Sequence, residues 1–282
     1  MAYFVIITGA SSGIGRATCH LLIQHGYEVI AGVRSPADAD SLRTAYGEKV
    51  HPLILDVTDE LQLLAARKDI ITLLQSHLLV AIINNAGIAA SGAIRYIPME
   101  EWKKVFEVNV FGVIRIIQVF FDLLLHQPDD PHPRRIINMS SVSGLFASPF
   151  MGPYVTSKFA LEALSDSLRR ELFMHKVDVV LIEPGSIHTP MWDKAKEAHS
   201  YLNEEYDRIR SFKERIIQHN LASALPVEKV ANVVLNAVRN KQVRNRYLVK
   251  SGAWKFKLLK RLPDSWVDKM IKRTLRKKTN VR

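Results

Sequence analysis

Tyr3-Phe4-Val5-Ile6-Ile7-Thr8-Gly9-Ala10-Ser11-Ser12-Gly13-Ile14-Gly15-Arg16 is the stretch on which the fold turns. A short apolar run enters a glycine-rich turn, and a segment of helical period follows, which reads as strand, turn and helix. Glycines let the backbone bend sharply and come close to a phosphate. The N–H groups and dipole of the helix start then stabilise the anion. Gly9, Ser11, Ser12, Gly13, Ile14 and Gly15 are therefore candidate nucleotide contacts. The GxxxGxG spacing is not the GxGxxG of the general dinucleotide fingerprint. Nor is it a P-loop, because Arg16-Ala17 stands where GK[ST] would be needed. Taken alone, the turn also fits plain tight packing of strand on helix.

Working outward, short apolar runs alternate with longer helical segments, the pattern of a parallel sheet covered on both faces. Strands are expected at 3–8, 28–33, 50–55, 79–84, 134–140, 177–183 and 245–249. Helices are expected near 14–25, 59–76, 99–126, 154–175 and 227–240. The fold class is thus α/β, a Rossmann-type doubly wound parallel sheet of about seven strands. Pro128-Asp129-Asp130-Pro131-His132-Pro133 must end the helix before it. Residues 186–225 form a polar, helical-period insertion beyond the sixth strand, where a substrate lid belongs. The division is a dinucleotide-binding catalytic domain at 1–249 and a basic amphipathic segment at 250–282.

Composition narrows the function. Of 282 residues, 48% are hydrophobic, enough for a substantial core, and the net charge is +11. Residues 250–282 hold 12 Lys/Arg against 2 Asp/Glu, whereas residues 1–249 hold 27 against 26. The basicity belongs to the tail, so a nucleic-acid-binding body is not expected. Cys19 is the single cysteine and cannot form an intrachain disulfide, which fits a cytoplasmic setting. The ten histidines show no ligand spacing, so no metal site is expected. No signal peptide is expected, because no basic region precedes the first apolar run. The longest apolar candidate, 105–125, contains Glu107, Asn109, Arg115, Gln118 and Asp122, and a membrane span is not expected.

Thr8-Gly9-Ala10-Ser11-Ser12-Gly13-Ile14-Gly15 resembles the opening motif of the short-chain dehydrogenase/reductase family, in its shorter single-domain branch. Further matches follow in order: Leu55-Asp56-Val57, Asn84-Asn85-Ala86-Gly87, Val108-Asn109-Val110, Ser140-Ser141, Tyr154-Val155-Thr156-Ser157-Lys158 and Pro184-Gly185. Tyr154 and Lys158, four apart, share one helix face. A phenol titrates near pH 10, and a neighbouring ammonium would lower that value. The resemblance implies that Tyr154 exchanges a proton with the substrate oxygen, that Ser141 hydrogen-bonds that oxygen, and that Lys158 depresses the tyrosine pKa and holds the ribose. It implies that Asn109 positions Lys158 through a water. Family spacing favours Ser141 over Ser140 and Ser143. Asp56 and Val57 would meet the adenine, Asn85, Ala86 and Gly87 the adenosine ribose side, and Pro184, Gly185, Ile187 and Thr189 the nicotinamide.

The second strand ends at Val33, where NAD-preferring enzymes carry an acid, and Arg34 and Ser35 follow. A cation and a hydroxyl there suit a 2′-phosphate, favouring NADP(H), with NAD(H) as the alternative. Leu145, Phe146, Phe150, Met151, Met191 and Trp192 suit a lipophilic alcohol or carbonyl substrate, or pack the lid on the body. The chain end is loosely similar to the retinol and hydroxysteroid dehydrogenase-like part of the family. In the tail, Trp254, Phe256, Trp266 and Met270 interleave with lysines and arginines. Three roles stand open for it: docking on the body, peripheral membrane contact, or a solvated end. The apolar helices at 99–126 and 154–175 point to homo-oligomerisation. A non-catalytic nucleotide-sensing regulator is the competing function, and the joint presence of Asn109, Ser141, Tyr154 and Lys158 argues against it.

Overall fold

The computed structural model describes residues 1–75, 77–125, 130–190, 201 and 222–276, with side chains as far as 273. Seven strands, β1 (Tyr3–Thr8), β2 (Glu28–Val33), β3 (Val50–Ile54), β4 (Leu78–Asn84), β5 (Arg134–Met139), β6 (Val177–Pro184) and β7 (Arg246–Val249), form one sheet in the order β3-β2-β1-β4-β5-β6-β7. All six pairings are parallel. The helices are α1 (Gly13–Gln24), α2 (Pro36–Tyr46), α3 (Glu60–Leu74), α4 (Met99–Phe106), α5 (Gly112–Leu125), α6 (Gly152–Glu171), α7 (Val227–Arg239), α8 (Ala253–Leu259) and α9 (Asp264–Arg276). The strand order reverses between β1 and β4, the place where such sheets bind ligands.

Side chains alternate across the sheet and build two cores. Val5, Ile7, Val29, Ala31 and Val80 meet Cys19, Leu22, Val234 and Val238 on one face. Phe4, Ile6, Leu79 and Ile82 meet Leu63, Ile116, Phe120 and Leu161 on the other. Strands sandwiched in this way must be apolar on both faces, and β4 is buried at every position.

Two details differ from the sequence reading. Residues 36–46 form a helix that the apolar pattern does not reveal, since only Ala39 and Leu42 are buried on it. Its signal lies at its start, where Ser35 caps it and Pro36 takes the first turn. The helix expected over 99–126 is interrupted by a π turn at Glu107–Phe111. Across Met99–Leu125 it is long and apolar enough to cross a membrane, the one such helix among the described residues. Its buried side, including Val113, Ile116, Phe120 and Leu124, packs in the core.

Candidate active site

At the switch point the loops after β1 and β4 are bolted together. The Thr8 hydroxyl accepts from the N–H of Asn85 at 3.1 Å and of Ala86 at 3.0 Å. The Asn85 amide donates to the carbonyls of Thr8 and Gly9, both at 3.0 Å. Gly9 has φ +65°, and a Cβ there would lie 3.0 Å from Ala86 Cα. A Cβ at Gly15 would strike the Gly9 carbonyl and lie 2.7 Å from the Asn85 amide nitrogen. The glycines therefore serve the packing of loop on loop. The same turn also fits an anion: Ser12 is the N-cap of α1 with no side-chain cap, and the first turn carries no acid. Thr189 lies over this turn, its methyl 3.3 Å from where a Gly13 Cβ would be. Ile14 faces the core, and Ser11 offers its carbonyl to Arg16 at 3.4 Å.

Val33 is buried at the end of β2, and Arg34 beside it is exposed. Ser35 is less free than its sequence suggests. Its hydroxyl accepts from the Asp38 N–H at 3.2 Å and donates to the Asp38 carboxylate at 2.8 Å. Asp56 is half-buried and accepts at one oxygen from Thr58, N–H at 2.9 Å and hydroxyl at 2.7 Å. Asp59, not Asp56, caps the next helix. Val57 is buried against Gly112, where a Cβ would approach it to 2.7 Å.

Ser141, Tyr154 and Lys158 converge at the carboxyl ends of β5 and β6. Pro153 stands in the first turn of α6, which carries Tyr154 and Lys158. Trp102 and Ile94 press on Gly152 and seat that end of the helix. The Ser141 hydroxyl faces the Tyr154 phenol and favours its ionised form. It also accepts from Ser143 N–H at 3.1 Å and reaches the Pro184 carbonyl at 3.4 Å. Lys158 Nζ donates to the Met139 carbonyl at 2.8 Å and lies 5.7 Å from the centre of the Tyr154 ring. Gly87 closes over this pair, its missing Cβ 3.3 Å from Asn109 Oδ1 and 3.8 Å from Lys158 Nζ.

The electrostatics of the site follow its burial. Burial pushes the Tyr154 phenol above its ordinary value, with the Ser141 hydroxyl opposing, and Lys158 does not reverse this. Burial also pushes the Lys158 ammonium down to about 8, with Glu162 one turn on holding it up. Asn109 sits in the π turn with its side chain committed. It accepts from Ile88 N–H, donates to the Ile88 carbonyl, both at 2.9 Å, and donates to the Ser157 hydroxyl at 3.0 Å. π turns recur at functional sites because one extra residue redirects a side chain.

Beyond β6, Gly185 N–H donates to the Val249 carbonyl at 2.9 Å. Ile187 is buried, and the two ends of the insertion are laced together by His188 N–H to Leu225 O and Leu225 N–H to Ser186 O, both 2.9 Å. Most of the expected lid, including Met191 and Trp192, lies outside the described residues. Tyr201 accepts at its carbonyl from Ala93 N–H at 3.0 Å, and Gly92 N–H donates to Phe150 O at 2.9 Å. Phe150 holds φ +66°, unusual for a bulky residue. The tail reaches this region: Phe256 of α8 is buried, its ring edge-on to Phe146 at 6.4 Å. The contacts of Gly92 with Phe150 and Tyr201, and of Phe256 with Phe146, are not readable from the sequence. The positional signal of Phe256 was an aromatic on one face of a basic helix.

A hydroxyl and a half-buried phenol set over a buried lysine, beside a glycine turn at the switch point of a parallel sheet, define the equipment of a nucleotide-dependent oxidoreductase. The model of the family described as short chain dehydrogenase matches residues 3–200. The chain is 36% identical over 278 residues to an NADPH-dependent 3-dehydrocapnine reductase of Ornithobacterium rhinotracheale, covering 98% of each. It is 32% identical to retinol dehydrogenase 5 of Mus musculus, covering 95% of this chain and 86% of that one. A short chain dehydrogenase/reductase from Burkholderia phymatum, solved in complex with NAD, superimposes with TM-score 0.77 at 26% identity, covering 95% of both. The protein belongs to the short-chain dehydrogenase/reductase family and is an oxidoreductase of alcohol and carbonyl groups.

Proposed function

We propose that the protein is an NADP(H)-linked oxidoreductase of a lipophilic alcohol/carbonyl pair, working through Ser141, Tyr154 and Lys158. The observation that carries this is the meeting of Ser141, Tyr154 and buried Lys158, with Lys158 Nζ 5.7 Å from the centre of the Tyr154 ring. Nicotinamide, when bound, supplies or accepts the hydride. The residues suited to hold the cofactor are Gly9 to Gly15 and Thr189, with Asn85 to Gly87, Asp56 and Val57 around the adenosine and Pro184, Gly185 and Ile187 towards the ring.

Ser141 donates to the substrate oxygen and steadies the charge that grows there. Tyr154 gives that oxygen its proton in reduction and takes it back in oxidation. Lys158 holds the ribose and supplies positive charge beneath the phenol. Asn109, through its clamp on Ile88 and Ser157, fixes the walls on either side of that lysine.

Arg34, following buried Val33, supports NADP(H), as does the NADPH dependence in the name of the Ornithobacterium relative. NAD(H) remains the second choice, since the Burkholderia structure holds NAD. Phe146, Phe150 and Phe256 at the cleft support an apolar substrate, as does the likeness to a retinol dehydrogenase. The catalytic unit is residues 1–249, with the lid near 186–225 and the tail at 250–282.

The tail adds a second contact. Trp254 and Leu258 face outward on α8, 67% and 56% exposed, while Phe256 holds the helix to the body. Trp266 and Met270 are likewise exposed one turn apart on α9. Interleaved with Lys255, Lys257, Lys260, Lys269 and Lys272, they suit the surface of an anionic membrane, with a cytoplasmic enzyme resting on it peripherally. Exposed Phe111, Phe159, Phe173 and Met174 on and beside α5 and α6 support a homo-oligomer. No observation favours a non-catalytic sensor. A panel of aldehydes, ketones and alcohols, run with both cofactors and followed by nicotinamide absorbance, tests the substrate reading. Turnover rising with chain length or ring count is expected. Turnover confined to small polar carbonyls would overturn it.

A further inference from the structure

Behind the Ser141–Tyr154–Lys158 group lies a second buried polar cluster. Glu162 follows Lys158 by one turn of α6 and is buried, as are Glu183 at the end of β6 and Ser140 at the end of β5. They are neighbours. The position a Gly144 Cβ would take lies 2.9 Å from Ser140 Oγ, 3.0 Å from Glu162 Cγ and 3.0 Å from the Lys158 carbonyl. Ser140 N–H donates to the Ile182 carbonyl at 2.8 Å, next to Glu183. Arg246 of β7 spans the acids. Its Nε is 3.0 Å from Glu162 Oε2 and 3.4 Å from Glu183 Oε1, and its Nη2 is 3.0 Å from Asp166.

This cluster costs more than a plain structural ion pair should. Ser140 Oγ and Glu162 Oε1 are buried without a hydrogen-bond partner among the described residues, and Glu183 Oε1 has only the 3.4 Å ion pair with Arg246. Such orphaned atoms are uncommon and call for an account. Two buried carboxylates beside one guanidinium disfavour each other's ionisation. Burial and Glu162 push Glu183 up to about 7, against Arg246, Lys260 and Lys257. Glu162 is ion-paired with Arg246 at 3.0 Å, and it opposes the desolvation of Lys158 one turn back along α6.

We propose that Glu162, tied to Arg246 and backed by Glu183, is a positioning residue that keeps the Lys158 ammonium charged in its buried site and holds the Ser140–Gly144 turn in place. The charged groups facing it are Lys158 and Asp166 on α6, Glu183 on β6 and Arg246 on β7, with Lys257 and the adjoining Lys260 of α8 acting on Glu183. The role rests on Lys158 being the cofactor-holding lysine, as proposed above. Its sign is fixed: without the Glu162 charge, Lys158 loses its proton at lower pH.

Glu162→Gln keeps the shape and removes the charge. The test is NADPH affinity by fluorescence titration from pH 6 to pH 9.5, read together with the pH profile of kcat/KM on any substrate the panel finds. In the wild type, NADPH binding should weaken above about pH 8. In Glu162→Gln the weakening should begin at least about half a pH unit lower. Near pH 6, where Lys158 is charged in both proteins, the two affinities should agree within about threefold. Glu162→Asp should return most of the shift, and it stands alone, with a smaller shift, if the Gln variant does not fold. An unmoved alkaline limb, or an equal loss at every pH, would overturn the proposal and leave Glu162 a structural residue only. Wild-type binding that does not weaken at alkaline pH would instead fault the role given to Lys158.

Discussion

Asn109 grips the peptide of Ile88 from both sides, accepting from its N–H and donating to its carbonyl at 2.9 Å each. The loop after β4 is thereby locked to the π turn, and the third bond, to Ser157, ties both to α6 between Tyr154 and Lys158. Asn109→Ala would orphan several buried groups at once, at about 1–3 kcal/mol apiece. We expect a stability loss of roughly 2–4 kcal/mol and a melting temperature lower by about 5–10 °C. Asn109→Asp, which keeps only the acceptor, should fall between. A melting temperature within about 2 °C of wild type for the Ala variant would contradict the clamp.

Arg34→Ala should weaken NADPH about tenfold or more, the value of a hydrogen bond to a charged group, and leave NADH within about threefold. Paired binding titrations check this. Equal losses for the two cofactors would mean that Arg34 does not read the 2′-phosphate.

The sheet was legible because each strand, sandwiched between helices, had to be apolar along its length, as β4 and β6 are. The glycine turn was legible because Gly9 and Gly15 admit no side chain. Helix α2 was missed because it lies on the surface and buries only Ala39 and Leu42, too little to impose a period. The π turn was missed because it arises from a tertiary demand, the Asn109–Ile88 clamp, with no local mark in the sequence. Ser35 reads as a phosphate donor from its position alone, and only the structure shows its hydroxyl engaged with Asp38. The ring contact of Phe256 with Phe146, and the bond of Glu162 to Arg246, join residues 110 and 84 positions apart, beyond the reach of spacing arguments.

If the tail rests on a membrane, the protein should co-sediment with vesicles containing anionic phospholipid and not with neutral ones. Added salt should release it, since exposed charges are screened beyond about 10 Å at 0.1 M. Replacing Trp254 and Trp266 together by Ser should reduce the bound fraction several-fold while NADPH affinity stays unchanged. Salt-independent binding, or binding indifferent to both substitutions, would remove the membrane role.

The central claim is that Tyr154 moves the proton, and Tyr154→Phe tests it most directly because it deletes one oxygen and little shape. On the best substrate from the carbonyl panel, turnover should fall by about 10² to 10⁴, the value of a positioned general acid. NADPH affinity, measured on the same preparation, should stay within about threefold of wild type. Turnover within a few fold of wild type, with cofactor bound normally, would contradict the account.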